Sequence, residues 1–461
     1  MLSQAMPRLM LAAAHKSSGK TTISLGICAA LQRAGMSVQP FKKGPDYIDP
    51  MWLGQAAGRA CLNLDFHTQT HGEIQQLFSR HASAAEFSLI EGNMGLFDSL
   101  DVEGSQSNAA LAVLLQSPVV LVLDAHGATR SLIPVVQGMR AFEPGLNIAG
   151  LILNKVGGKR HEQRLREVFS YYCPELPLLG CIHRDTALNI DERHLGLIPS
   201  NEQNEANALL QQIAERIAPQ LDMARLQAIA HSAPALPQPP PQTAPEQPNR
   251  VRIAIARDAA FGFYYPDDLQ ALEQAGAELL PFDALHDPTL PERIDGLFIG
   301  GGFPETQMFA LAANTCLRQQ IREAIEGGLP CYAECGGMMY LCRRLRWGKH
   351  EAEMVGVLPA DCVMHDKPVG RGYAVIREGA ASPWPAIPEQ PRPLHEFHYS
   401  SLENVTPGLQ YAYKLERGCG IAERQDGIVH KNLLASYVHQ RNVAGNRWAE
   451  RFVEFVRQCR R

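Results

Sequence analysis

Between Ser232 and Pro248 the chain reads Ser-Ala-Pro-Ala-Leu-Pro-Gln-Pro-Pro-Pro-Gln-Thr-Ala-Pro-Glu-Gln-Pro. Proline fixes φ and has no amide hydrogen, so this run can form neither a helix interior nor a central strand. It therefore divides the sequence. A length of 461 residues also exceeds what one hydrophobic core usually supports. The division predicts a domain over residues 1–231, an extended linker over 232–249 and a second domain over 250–461.

Each half alternates short apolar runs with helical patterns. Before the linker the runs are Leu9 to Ala14, Ser88 to Ile90, Val119 to Leu123, Ile148 to Leu153 and Leu178 to Ile182. After it they are Val251 to Ala256, Gly296 to Ile299, Pro330 to Tyr332 and Leu433 to Val438. Continuous apolar strands separated by helices suit a parallel sheet covered on both faces, so the expected fold class is α/β in both domains.

Composition narrows the partners. The net charge is −5, and no long basic run occurs. Nucleic acid and membrane surfaces are therefore not expected partners, and small molecules are favoured. No apolar stretch reaches bilayer length. Arg8 to Ala14 resembles the start of a signal peptide, but Lys16, Lys20 and the residues around them make it a strand entering a phosphate loop. Eleven cysteines without a CxxC pair argue against a disulfide framework and for a reducing cytoplasm.

Ala14-His15-Lys16-Ser17-Ser18-Gly19-Lys20-Thr21-Thr22 lies between the first strand and the helical pattern Ile23 to Ala34. Amide groups at such a helix start cradle phosphates, with Gly19 giving the close approach, Lys20 reaching the outer phosphates and Thr21 ligating Mg²⁺. Ala14 stands where the usual pattern has its first glycine. Lys16 resembles the signature lysine of the deviant loops in dethiobiotin synthetase-like and partitioning ATPases. Asp46, Glu91 and Asp124 fall at expected strand ends, where ligands of open α/β sheets bind. Asp46 and Glu91 are expected to hold Mg²⁺ with Thr21, and Asp98 to lie nearer a second substrate. Lys42 and Lys43 read either as surface charges or as holders of an anionic substrate. Asn154 resembles a base-recognition position.

The second half carries another constellation. Leu329-Pro330-Cys331-Tyr332-Ala333-Glu334-Cys335-Gly336-Gly337 reads as a nucleophile elbow, a tight strand-to-helix turn presenting Cys335 above a helix start, where its pKa would fall. Leu433 to His439 is an apolar strand ending in a general base for that thiol. Gly296 to Gly302 ends a strand in three glycines, and the amides near Gly302 and Gly336 would form an oxyanion hole. The set suggests acyl transfer through a thioester.

This half resembles a class I glutamine amidotransferase domain. Such domains commonly carry Glu two residues after the histidine, where this chain has Arg441, so the partner of His439 is unassigned; the cobyrinic acid branch often lacks that Glu. Together with Lys43-Gly44-Pro45-Asp46-Tyr47-Ile48-Asp49-Pro50, Asn63-Leu64-Asp65, Glu91-Gly92-Asn93-Met94-Gly95-Leu96-Phe97-Asp98 and His395-Glu396-Phe397-His398-Tyr399-Ser400, nearly the whole chain resembles the cobyrinic acid and hydrogenobyrinic acid a,c-diamide synthases.

The resemblance implies a dethiobiotin synthetase-like P-loop domain joined to an amidotransferase domain. It further implies two amidations of corrin carboxylates through acyl phosphates, with ATP, glutamine and Mg²⁺, and a protected passage for ammonia. It places Asp46, Tyr47 and Asp98 at the corrin, and Lys16, Gly19, Lys20, Thr21, Thr22 and Asn154 at the nucleotide. Other readings are a diamide synthase for nickel sirohydrochlorin, a deviant P-loop switch ATPase, and a binding module with both sites decayed. The histidines of His395 to His398 read as a glutamine-site or interface element before a metal site. Oligomeric state is open, a homodimer included.

Overall fold

The run Arg8–Ala13 is wholly buried and forms β1, the middle strand of a seven-stranded sheet in the computed structural model. The structure describes residues 3–185, 192–193, 196–202, 205–239, 250–388 and 390–460. The other strands of this sheet are β2 (Val38–Lys43), β3 (Leu62–Leu64), β4 (Phe87–Glu91), β5 (Val119–Asp124), β6 (Ile148–Val156) and β7 (Leu178–His183). Their order is β3-β2-β4-β1-β5-β6-β7, every pair parallel. Successive side chains of a strand point to opposite faces. Leu9, Leu11 and Ala13 accordingly pack with Ile23 and Ile27 of helix α1 (Lys20–Arg33), and Met10 and Ala12 join the core on the other face. Helix α2 (Ile48–Ala57) follows β2.

Strand β2 was not among the expected runs. Gln39, Pro40, Lys42 and Lys43 interrupt its apolar pattern, yet all of it is buried. The reason is local. Gln39 donates to the carbonyl of Ala60 at 2.9 Å, and Pro40 lies opposite Leu89 of β4 on one side while β3, on the other, pairs only from Phe41 onward.

The chain divides into two compact units, Met1–Pro241 and Gln242–Arg461. Of the stretch 232–249, Leu236 and Pro237 pair with Gln4 and Ser3 in the first unit, and Leu236 is buried in its core; residues 240–249 lie outside the described residues.

The second unit begins with β8 (Val251–Ala256), β9 (Phe261–Phe263), helix α3 (Pro266–Gln274), β10 (Ala277–Phe282), β11 (Gly296–Ile299), β12 (Gly301–Gly302) and β13 (Cys331–Glu334). Helix α4 (Gly336–Leu341) follows, then β14 (Cys342–Trp347), β15 (His350–Glu353) and β16 (Leu358–Met364). The last strands are β17 (Gly370–Glu378), β18 (Arg392–His398), β19 (Ser400–Glu403), β20 (Gln410–Arg417), β21 (Gln425–His430) and β22 (Leu433–Ser436). The main sheet has nine strands in the order β10-β8-β11-β13-β22-β21-β20-β17-β18.

Pairing in that sheet is parallel as far as β22 and antiparallel beyond it. The antiparallel extension lacks continuous apolar runs because its strands mix buried with more exposed side chains, as β17 does with Val375 half-buried between buried Ala374 and Ile376. Among the described residues, no helix is long and apolar enough to cross a membrane.

Candidate active sites

The phosphate loop joins the carboxyl end of β1 to α1. Gly19 has φ +85°, and a Cβ there would stand 2.1 Å from the Asn154 side-chain nitrogen, so only glycine fits. Asn154 Nδ2 donates to the carbonyl of Ser18 at 2.9 Å, and Lys155 Nζ donates to that of Ser17 at 3.0 Å and to Asp124 at 2.7 Å. Asn154, expected to read a base, thus has its amide on the loop backbone. Lys16 is exposed on the loop, while Thr21 and Thr22 are half-buried in the first turn of α1. Lys20 is buried and donates from Nζ to the Met94 carbonyl at 3.1 Å. Burial pushes its ammonium down to about 8.

The segment Gly92 to Asp98 lies along this loop. Gly92 and Leu96 donate to the carbonyls of Leu11 and Ala13 at 3.0 and 2.8 Å. Asp98 Oδ2 accepts from Gly95 N at 2.8 Å, and a Cβ on Gly95 would stand 2.8 Å from the Ala14 carbonyl. Glu91, at the end of β4, is fully buried. Its Oε1 accepts from Thr21 Oγ1 at 3.1 Å and from Lys42 Nζ at 2.6 Å.

The same ammonium reaches Asp49 Oδ2 at 2.5 Å and Asp46 Oδ2 at 3.7 Å. Burial alone would lower the Lys42 pKa, but Asp49, Glu91 and Asp46 carry it well above its ordinary value. Asp46 Oδ1 accepts from the amides of Ile48 and Asp49 at 2.9 and 3.2 Å and so closes the first turn of α2, with half-buried Tyr47 between. Burial and the Asp49 charge push Asp46 up to about 7, although about a third (32%) of its side chain faces solvent, which weakens that push.

Two sequence readings change here. Lys42 and Lys43 are buried, at 3% and 6% exposure, so neither is a surface charge. Asp49 stands nearer Thr21 Oγ1, at 3.4 Å, and was not singled out. Its signal was its place just beyond Asp46, in the first turn of α2.

In the second unit, Cys335 has φ 45° and ψ −103° between β13 and α4, a strained combination for a residue with a Cβ. The turn is held by Cys335 N, which donates to the Ser436 carbonyl on β22 at 2.7 Å. A Cβ on Gly337 would stand 2.1 Å from the Ile299 carbonyl, and one on Gly336 would stand 2.9 Å from both N and O of Gly302. The glycine strand end and the elbow therefore meet, with Gly302 and Gly336 side by side. Helix α4 has six residues, too short for a strong dipole. Against the expected fall in pKa, burial pushes the Cys335 thiol well up.

His439 follows β22. A Cβ on Gly301 would stand 2.8 Å from its Cε1, its amide donates to the His395 carbonyl at 2.9 Å, and the two imidazoles stack with centroids 4.8 Å apart. Its Nδ1 is 3.4 Å from Glu334 Oε2. Arg441 turns elsewhere: Nη1 donates to Asp267 and Asp268 of α3 at 2.6 and 2.9 Å, and its guanidinium covers Tyr265. Glu396 accepts from the amides of Cys419 and Gly420, and the His398 ring stacks on Tyr437 at 3.7 Å.

Residues 9–198 match the CobQ/CobB/MinD/ParA nucleotide binding domain, and residues 252–446 match the CobB/CobQ-like glutamine amidotransferase domain. A cobyrinate a,c-diamide synthase of Magnetococcus marinus is 46% identical over 98% of this chain and 98% of its own. Proteins of the same name from Syntrophotalea carbinolica and Methanosarcina barkeri are 39% and 37% identical, over 98% and 99% of this chain and 99% and 97% of theirs. Among solved structures, PurLQS from Thermotoga maritima aligns with 46% of this chain and 99% of its own at 15% identity, with a TM-score of 0.36, too low to bear on the fold.

Proposed function

The chain belongs to the cobyrinate a,c-diamide synthase family, and from that premise we propose that it amidates the a and c carboxylates of cobyrinic or hydrogenobyrinic acid, using ATP and glutamine in cobalamin biosynthesis. The carrying observation is that relatives of this name match across both units of the chain. We assign the nucleotide and corrin to residues 1–231 and the glutaminase to residues 250–461, in a cytoplasmic enzyme whose eleven cysteines are free thiols.

A carboxylate resists direct amidation. In this reading a carboxylate oxygen of the corrin attacks the γ-phosphorus of ATP and ADP leaves; ammonia then adds to the acyl phosphate, and phosphate departs as the C–N bond forms. Catalysis of such transfers is mostly positioning and electrostatics. Lys20 and the loop amides face the phosphates, while Asp46, Tyr47 and Asp98 orient the corrin carboxylate. Lys42 and Lys43 supply further positive charge.

The donor set suits Mg²⁺. Thr21, Asp49 and Glu91 are hard oxygen donors already gathered together, Asp49 and Glu91 around the Lys42 ammonium, and the buried Glu91 Oε2 has no hydrogen-bond partner among the described residues. Asp46, the expected ligand, lies at the margin of this group. When bound, Mg²⁺ would neutralise charge on the nucleotide phosphates.

For ammonia, Cys335 Sγ attacks the side-chain carbonyl carbon of glutamine while His439 takes the thiol proton. The amides of Gly302 and Gly336 face the oxyanion. The proton passes to the departing nitrogen, and water hydrolyses the glutamyl thioester.

The test supplies each acid separately with Mg-ATP and glutamine and follows the mass of the tetrapyrrole. Two successive amidations of one acid are expected, lost in Lys20→Ala and restored by ammonium in Cys335→Ala. No mass change with either acid, despite glutamate release, would refute the substrate assignment.

A further inference from the structure

We infer that Glu334 is the positioning residue for His439, filling the place that Arg441 leaves open. The inference rests on the glutaminase reading of this site. Glu334 is the last residue of β13, so the strand that presents the nucleophile also presents the carboxylate. It is buried, at 4% exposure. Its Oε1 accepts from the amide of Gln440 at 2.7 Å and from the Tyr332 hydroxyl at 2.5 Å, and its Oε2 faces His439 Nδ1 at 3.4 Å. One oxygen thus grips the chain just beyond the histidine while the other faces the ring.

The remaining sides of the imidazole are also fixed. His395 stacks on it with an interplanar angle of 11°, and Gly301 leaves room for Cε1 only because it has no Cβ. Nδ1 directed at Glu334 leaves Nε2 for the thiol. The ring's titratable neighbours from the packed elements are Glu334 of β13 and His395 of β18; Cys335, next in the chain to Glu334, directs its Sγ at the Phe397 carbonyl at 3.8 Å. Arg441, on His439's own segment, is paired with Asp267 and Asp268 of α3.

The chemistry calls for such a carboxylate. Burial keeps the Cys335 thiol protonated at rest. As the S–C bond forms, the Sγ proton moves to Nε2 and the amide π pair moves to oxygen, so an imidazolium arises in a buried site. A buried cation needs a counter-charge. Glu334 provides it, and it holds the ring as the proton passes to nitrogen and the C–N bond breaks. Arg441 cannot, since it carries the same sign.

Glu334→Gln keeps the acceptor for Gln440 and Tyr332 but removes the charge. Glutamate release by the full chain is measured against pH, with ammonium-dependent amidation followed in the same samples. The expected result for E334Q is a fall in kcat of about 100-fold, with KM for glutamine within about threefold. The acid limb of the pH profile moves to lower pH, and ammonium-dependent amidation is unchanged.

Wild-type kcat in E334Q, or a lowered kcat with unmoved limbs, overturns the assignment. Should E334Q fail to fold, E334D carries the test, because it keeps the charge but withdraws it by one methylene. Wild-type limbs with reduced kcat support the assignment, and wild-type kcat overturns it. A wild-type protein that releases no glutamate refutes the glutaminase reading itself, whereas active wild type with indifferent variants removes only the role of Glu334.

Discussion

Lys20 is a cation held largely out of water, and in the proposed reading it awaits the phosphates of ATP. Burial pushes it down to about 8, so near pH 8.5 much of it is neutral in the free protein. Polyphosphate restores the charged form, because a nearby opposite charge favours ionisation. ATP binding is therefore expected to take up close to one proton near pH 8.5 and almost none at pH 7. Calorimetry in two buffers of different ionisation enthalpy reads this directly, and equal uptake at both pH values would refute it. Lys43, also pushed down to about 8 by burial, contributes with the same sign. Cys335 shows the converse case: its backbone is strained, burial pushes its thiol up, and in the proposed reading it would ionise only with substrate and His439 in place.

The strand ends are the working parts of both sheets, and they need holding as well as placing. Asp426 on β21 accepts from the amides of Tyr437 and Val438, at 3.0 and 2.9 Å, and so pins the turn that carries His439. Asp426→Ala would strand three buried N–H groups, those of Tyr437, Val438 and Gly427, each costing about 1–3 kcal/mol. Glutamate release is expected to fall at least tenfold, with ammonium-dependent amidation retained; parallel loss of both would mean general unfolding.

Strands such as β1 and β5 were legible in the sequence because strands buried on both faces are continuously apolar. Strand β2 was not, since its polar residues are satisfied by contacts distant in sequence. Cys335, His439 and the glycines could be read because elbow chemistry leaves a local signature. Nothing local marks Glu334, because its partner lies 105 residues on, at His439. Lys42 is explained only once Asp49 and Glu91 converge on it.

At the scale of the whole molecule, each unit carries one half of the chemistry, and the cluster at the phosphate loop bears on the stability of the first. Lys42 pairs with Asp49 and Glu91 in a site that is almost wholly buried on the lysine side, at 4% exposure. Removing one partner of such a pair costs about 3–5 kcal/mol. Lys42→Met is therefore expected to melt at a clearly lower temperature in a chelator and to recover on adding Mg²⁺, whereas the wild type melts at the same temperature with or without chelator. A wild type destabilised by chelation would contradict this.

In the proposed reading, lysine and metal would be alternative tenants of one anionic seat. The protein can be synthesised and fold in metal-poor surroundings without exposing a raw pair of carboxylates. Were Mg²⁺ to take these carboxylates as proposed, the Lys42 ammonium that now pairs with Asp49 and Glu91 would be freed for an anionic substrate.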